Sequence, residues 1–73
     1  MATVKQVLEM VAKSPSTITQ VSERLDSRHS TVWILLERRR LIGHVRRKKV
    51  QGSFVYSITE AGTRWIVWKK KHG

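Results

Sequence analysis

Residues 38–62 of the chain, RRRLIGHVRRKKVQGSFVYSITEAG, decide the fold. The first half of this stretch is rich in Lys and Arg, and no acidic residue lies between Glu37 and Glu60. Gln51-Gly52-Ser53 has the composition of a turn, and the residues after it, Phe54–Ile58, are mostly apolar or aromatic. The pattern predicts a β-hairpin that carries its basic residues on a protruding loop and packs its returning strand against a core.

The strands of this hairpin follow from the alternation of side chains. Leu41–Val45 is predicted to begin the first strand, and the basic segment after it to extend that strand. In the returning strand, Phe54, Tyr56 and Ile58 are two residues apart, so they share one face of the sheet. We expect that face to point inward.

Two helices are predicted before the hairpin stretch. The apolar residues Val4, Val7, Leu8 and Val11 recur at intervals of three and four, which predicts a helix over about 3–13. The segment Ser14-Pro15-Ser16 ends it. Thr17 and Gln20 have the spacing of a capping box, which predicts a second, short helix with Val21 and Leu25 facing inward.

A third helix is predicted over about 28–40. Asp26 and Ser27 offer oxygen atoms for its N-cap, and Val32, Leu35 and Leu36 fall on one side. The arginines at 38–40 suit its negative C-terminal dipole. After the hairpin, Thr59 is expected to cap a last helix from Glu60 to about Lys70, followed by a basic tail over 69–73.

Composition sets the broad class of protein. The 73 residues include 15 Lys and Arg against 5 Asp and Glu, which gives a formal net charge of +10. This length predicts one domain, residues 1–73, with a small core and no large catalytic cleft. The excess of positive charge favours a polyanionic partner.

Several classes of function are disfavoured. Because cysteine is absent and His29, His44 and His72 lack zinc-site spacing, we expect no metal, no cofactor and no small-molecule ligand. The scattered acidic residues and the lack of a glycine-rich phosphate loop argue against an enzyme. Since no signal-peptide core and no apolar run of about 20 residues occurs, we expect a soluble cytoplasmic protein, nucleoid-associated or in a host cytoplasm, with no membrane partner.

The predicted order of elements, together with local motifs, resembles the winged helix-turn-helix family. The resemblance covers about 17–65, and its motifs are Thr17–Leu25, Ser30-Thr31-Val32, Leu41-Ile42 and, most specifically, Tyr56–Gly62. It implies an α+β fold in which a three-helix core carries a two-stranded β-hairpin wing and a C-terminal helix. The chain departs from the family pattern at Asp26 and Ser27, where a glycine and an apolar residue are usual. It also has Arg40 where glycine often ends the third helix.

The resemblance implies a sequence-specific regulator that binds double-stranded DNA. Its third helix, about 28–40, would lie in the major groove, where base edges are distinguishable, and its wing, 46–53, on phosphates or in the minor groove. The candidate contacts on the third helix are Arg28, His29, Ser30, Thr31 and Trp33. Those on the wing are Arg46, Arg47, Lys48, Lys49, Gln51 and Ser53, and those at the start of the second helix, on the DNA backbone, are Thr17 and Thr19.

Alternatives remain open for several of these residues. His29 and Ser30 could be solvated, and Trp33 could belong to the core or to a dimer seam. Trp65 and Trp68 make the last helix apolar on nearly every side, which favours a homodimer interface; packing of this helix on the core is the competing interpretation. A component of an RNA assembly and a protein-interaction module are the alternative functions.

Overall fold

The computed structural model describes residues 2–73, which form four helices and three strands. In chain order these are α1 Val4–Lys13, β1 Ser16–Thr17, α2 Ile18–Arg24, α3 His29–Leu41, β2 Val45–Val50, β3 Ser53–Ile58 and α4 Glu60–His72. The strands form one antiparallel sheet in the order β1-β3-β2. The predicted α+β class and the order of the elements are confirmed, with β1 as an additional short strand.

The core lies between the helices and one face of the sheet. Tyr56 of β3 is its largest fully buried side chain, and each helix contributes apolar residues around it. The buried apolar residues are Ala2, Val7, Leu8, Val11, Val21, Val32, Leu36, Val45, Tyr56 and Ile66. The predicted inward positions of α1, α2 and α3 therefore hold, with Val4, Leu25 and Leu35 partly buried against this cluster.

The predicted helix starts at Thr17 and Thr59 are confirmed. Thr17 and Gln20 form a reciprocal capping box at α2, and Thr59 accepts a hydrogen bond from the backbone N–H of Gly62 at α4. A second capping box, between Thr3 and Gln6, begins α1. These hydrogen bonds satisfy backbone donors that have no partner within the first helical turn.

The turn between α2 and α3 differs from the prediction. Asp26 has φ +48° and Ser27 Oγ donates to the carbonyl oxygen of Leu25, so neither residue caps α3. Arg28 occupies the N-cap position without a side-chain hydrogen bond. Asp26 takes the left-handed conformation that a glycine adopts more readily, and aspartate is among the few other residues that tolerate it.

Arg40 lies inside α3 and does not end it. The helix continues through Leu41, so Arg40 keeps helical geometry, and Gly43 takes the left-handed conformation with φ +86°. The prediction that Leu41 begins a strand was wrong, because β2 begins at Val45.

β2 and β3 are joined by a two-residue turn. Val50 pairs with Ser53, and the intervening Gln51 and Gly52 have φ +49° and +83°. Two successive positive φ angles match the right-handed twist of the strands they connect. The prediction that Phe54 faces inward was wrong: it shares a face with Tyr56 but is 42% exposed, because the core ends before the tip of the hairpin.

The last helix begins in close contact with the loop that follows α3. Gly62 is buried, and a Cβ atom at its position would lie against the carbonyl oxygen of His44 and within 2.7 Å of Ile58 Cδ1. The close approach explains the glycine of the Tyr56–Gly62 motif. The expected basic tail is helical as far as His72 rather than extended from Lys69.

Candidate nucleic-acid interface

The exposed surface of α3 is a row of side chains four residues apart. Ser30, Ile34 and Arg38 are all exposed and share one face of the helix, opposite Val32 and Leu36. Ile34 and Arg38 are not among the predicted contacts. They follow Ser30 at successive intervals of four residues, and this spacing indicates that they share its face of the helix.

The predicted contacts on α3 are placed as follows. Arg28 and His29 are exposed at its N-terminus, and Trp33 is 47% exposed, so Trp33 is not a core residue of this domain. Thr31 is half-buried. The N-terminal end of α3 therefore presents a cation, an imidazole and a hydroxyl to solvent, all of which can contact base edges or phosphates.

A shallow cleft brings together residues from the three predicted groups. It is lined by Thr17, Ile18, Thr19, His29, Ser53 and Phe54. This cleft therefore lies where the tip of the hairpin meets the starts of α2 and α3. If Thr17, Thr19, His29 and Ser53 all contact DNA, they must lie on one surface, and the structure places them on one.

The four consecutive cations of β2 are divided between the two faces of the sheet. Arg47 and Lys49 lie opposite Tyr56 and Phe54, whereas Arg46 and Lys48 lie on the other face. All four residues are exposed, as are Gln51 and Ser53 at the turn. Among residues 2–73, Arg46, Lys48 and Lys49 make no salt bridge, so their charges are available to a polyanion.

Arg47 is held between an aromatic ring and a carboxylate. Its guanidinium carbon lies 4.2 Å from the centroid of the Phe54 ring, and Nη1 donates to Glu37 Oε2 at 3.2 Å. The cation–π geometry and the ion pair fix the side chain along the hairpin.

Glu37 accepts hydrogen bonds from three elements. The donors are Arg40 of α3, with Nη2 at 2.9 Å, Arg47 of β2, and the hydroxyl of Tyr56 in β3 at 2.6 Å. Hydrogen bonding from Arg40, then from Tyr56, lowers the pKa of Glu37 to about 2 despite partial burial. Burial, followed by this hydrogen bond, raises the pKa of Tyr56, so the phenol keeps the proton that it donates. Arg47 and Tyr56 on the two strands of the hairpin therefore leave the Glu37 side chain only 15% exposed.

Another aromatic group joins α3, the following loop and α4. The guanidinium of Arg39 lies 4.9 Å from the centroid of the Trp65 ring, whose centroid is 6.0 Å from that of His44. Burial, and then the charge of Arg39, lowers the pKa of His44.

Trp65 is half-buried against the core, whereas Trp68 is 53% exposed and stacks on His72. Of the two predicted interface tryptophans, Trp68 has the greater free surface.

Among residues 2–73, none of the helices has the length and apolar character needed to cross a bilayer. No three His, Asp or Glu side chains in this part of the chain converge on a possible metal position.

Comparison with solved structures identifies the fold. The transcriptional regulator BldR of Sulfolobus solfataricus matches with a TM-score of 0.86 and 15% identity, over 93% of this chain and 51% of that one. Streptococcus pneumoniae FabT, in a crystal structure with DNA, matches with a TM-score of 0.80 and 21% identity, over 93% and 50%. A homodimeric winged helix-turn-helix DNA-binding domain from Mycobacterium bovis, of a possible ArsR-family regulator, matches with a TM-score of 0.78 and 17% identity, over 89% and 61%.

The chain is therefore a winged helix-turn-helix protein by fold, as its sequence predicted. It spans about half the length of the BldR and FabT chains. No protein-family profile matches the sequence, and no curated protein is significantly similar to it. By the nomenclature of this fold, the β2–β3 hairpin is called the wing and the helix at the position of α3 is called the recognition helix.

Proposed function

We propose that the protein is a transcriptional regulator that binds double-stranded DNA in a sequence-specific manner. The observation that carries this proposal is the adjacency of the exposed N-terminal end of α3 and the basic wing, which meet at the cleft containing His29 and Ser53. A net charge of +10 supplies the long-range attraction to phosphates. BldR is a transcriptional regulator and FabT was crystallised in complex with DNA, and both similarities support the same function.

The recognition helix would read bases from the major groove. Arg28 at its N-terminus can donate two hydrogen bonds to a guanine, and His29, Ser30 and Thr31 can contact bases or phosphates. Trp33 and Ile34, both half-exposed, offer apolar surface to sugars or thymine methyl groups. Arg38, two turns from Ser30 on the same face, would contact the phosphate backbone farther along the groove.

The wing and the start of α2 would position the domain. Arg46, Lys48 and Lys49 would lie on phosphates or enter a narrow minor groove, with Gln51 and Ser53 at the tip. Thr17 and Thr19, in the cleft beside Ser53, would bind the backbone on the other side of α3. Contacts of this kind set orientation and affinity without reading sequence.

The protein would act as a homodimer, at least on DNA. A single domain of this fold covers about one half-site, and two half-sites about one helical turn apart give a dimer its specificity. The homodimeric neighbour from Mycobacterium bovis shows that a domain of this fold can pair. The exposed Val67 and Trp68 of α4 provide the apolar surface for a two-fold interface.

Selection from a pool of random duplexes, at one stated salt concentration, tests this function. We expect enrichment of one sequence, with two related half-sites, that binds at least about a thousandfold more tightly than random duplex. Structured RNA at the same salt is the competitor. Preference for RNA over every duplex would indicate an RNA assembly component instead, and a protein with no nucleic-acid affinity after these trials would be an interaction module.

A further inference from the structure

The unusual charge on the proposed DNA-binding surface is a negative one. Glu37 is the only acidic residue between Asp26 and Glu60, and it lies on the recognition helix itself. An acidic group on such a surface repels phosphates, so we expect Glu37 to have another role whose benefit outweighs this repulsion. Its hydrogen bonds indicate what that role is.

Both oxygens of the Glu37 carboxylate are occupied, and the donors lie on both strands of the wing. Oε2 accepts from Tyr56 of β3 at 2.6 Å and from Arg47 of β2 at 3.2 Å, while Oε1 accepts from Arg40 within α3. The Glu37 side chain is only 15% exposed. A carboxylate that binds two strands in this way links the recognition helix to the wing directly.

Apart from this link, the wing adjoins the helices at its tip, where Ser53 and Phe54 line the cleft with the starts of α2 and α3. Residues 46–54 are all exposed, and β1 pairs with β3 alone, at Tyr56 and Val55. The outer strand β2 is therefore held beyond Val45 by its pairing with β3 and by the link from Arg47 to Glu37. The Arg47 guanidinium also lies over the Phe54 ring, so a cation–π contact and an ion pair both hold it in place.

We propose that Glu37 is a positioning residue for DNA recognition, which locks the wing to the recognition helix without touching DNA itself. This inference rests on the proposed function. A fixed angle between the two elements lets α3 meet its bases while Lys48 and Lys49 meet phosphates in the same complex. Binding to random duplex needs only the phosphates, so it does not depend on that angle.

The test compares Glu37→Gln with the wild-type protein on the selected duplex and on a random duplex of equal length. Glutamine keeps the size of the side chain and removes the charge that holds Arg47. At a temperature where both proteins are fully folded, we expect the ratio of specific to random affinity to fall about tenfold, a typical coupling within one hydrogen-bonded network. Affinity for the random duplex should stay constant or rise, because a negative charge is lost.

Glu60→Gln is the matched control, since it removes the same charge from an exposed position at the start of α4. It should leave the ratio unchanged. Arg47→Gln breaks the link from the wing side and should lower the ratio as Glu37→Gln does, and the double variant should be no worse than either single one. Non-additive losses of this kind would not arise from a general loss of stability.

The outcomes separate the two proposals. If the wild-type protein enriches no duplex, the proposed function fails. If it enriches one, and Glu37→Gln or Arg47→Gln leaves the affinity ratio unchanged, the protein binds DNA but Glu37 does not position the wing. Should Glu37→Gln fail to fold, Arg47→Gln, whose side chain is more exposed, decides alone.

Discussion

Gly62 lies directly against the carbonyl oxygen of His44, at the point where α4 meets the loop between α3 and β2. A Cβ atom would also lie 2.7 Å from Ile58 Cδ1, and the His44 carbonyl oxygen already accepts a hydrogen bond from the backbone N–H of Thr59 at 3.0 Å. We expect Gly62→Ala to destabilise the fold by about 1–3 kcal/mol, as overpacking of a tight contact does. Urea unfolding measures the effect. Arg64→Ala, at an exposed position on the same helix, should change stability by less than about 0.5 kcal/mol, and an equal loss in both variants would contradict the packing argument.

The wing should determine the salt dependence of DNA binding. Replacing Lys48 and Lys49 together with Ala should weaken binding to all duplexes similarly and reduce the slope of log K against log salt by about 2, roughly one unit for each lost phosphate contact. Titrations at several salt concentrations give the slope. Lys70→Ala with Lys71→Ala removes the same charge from the C-terminal end of α4 and should change the slope less. Equal changes in the two double variants would place the wing away from DNA.

The N-terminal end of α3 should determine sequence preference. Arg28→Ala or His29→Ala is expected to change the ranking of preferred duplexes, with each lost base contact costing about 1–3 kcal/mol and the fold remaining intact. Repeating the selection with each variant measures this. Equal losses on the selected and random duplexes would instead assign these side chains to the phosphates.

The Glu37 network should give the protein an acid-sensitive stability. Its pKa falls from 4.5 to about 2 on folding, chiefly through the hydrogen bond from Arg40. A lowered pKa means that the carboxylate stabilises the folded state fully above pH about 4.5 and loses this contribution as the pH falls towards about 2. Wild-type protein should therefore be more stable than Glu37→Gln at neutral pH, and the difference should shrink across this window. Thermal melts at pH 6, 4 and 3 test the trend, and a pH-independent difference would be inconsistent with it.

The surface around Trp68 should hold the dimer together. Trp68→Glu places a charge in the proposed two-fold interface, so we expect monomers and loss of cooperative binding to a two-half-site duplex. Sedimentation measures the oligomeric state. Trp33→Glu, the same substitution at a similarly exposed tryptophan on α3, should leave that state unchanged. A wild-type protein that is monomeric both free and on its selected duplex would refute the dimer.

The features predicted correctly from sequence are those set by neighbouring residues. The apolar spacing of α1, the capping box of Thr17 and Gln20, and the Gln51-Gly52 turn all depend on interactions within a few positions. The positive φ at Asp26 was not predicted, although the usual glycine there indicated the conformation. The exposure of Phe54 could not be predicted from alternation, which assigns a face but not the point where the core ends.

The Glu37 link illustrates the features that sequence patterns do not predict. Its partners Arg47 and Tyr56 are 10 and 19 residues away along the chain, on two different strands. Their contact depends on how α3 packs across the sheet, and no local spacing encodes that packing. The short β1 strand depends on tertiary contact in the same way, because two residues carry no periodic pattern.

The outer position of β2 has a consequence for the behaviour of the protein in concentrated solution. One edge of this strand pairs with β3, and in the sheet formed by residues 2–73 its other edge has no neighbouring strand. Open edges of this kind are templates for pairing between molecules and hence for aggregation. Arg46, Arg47, Lys48 and Lys49 place like charges along the open edge, so two molecules that approach edge to edge repel each other. The run of cations that suits the wing to a polyanion therefore also keeps the sheet from extending into a second copy.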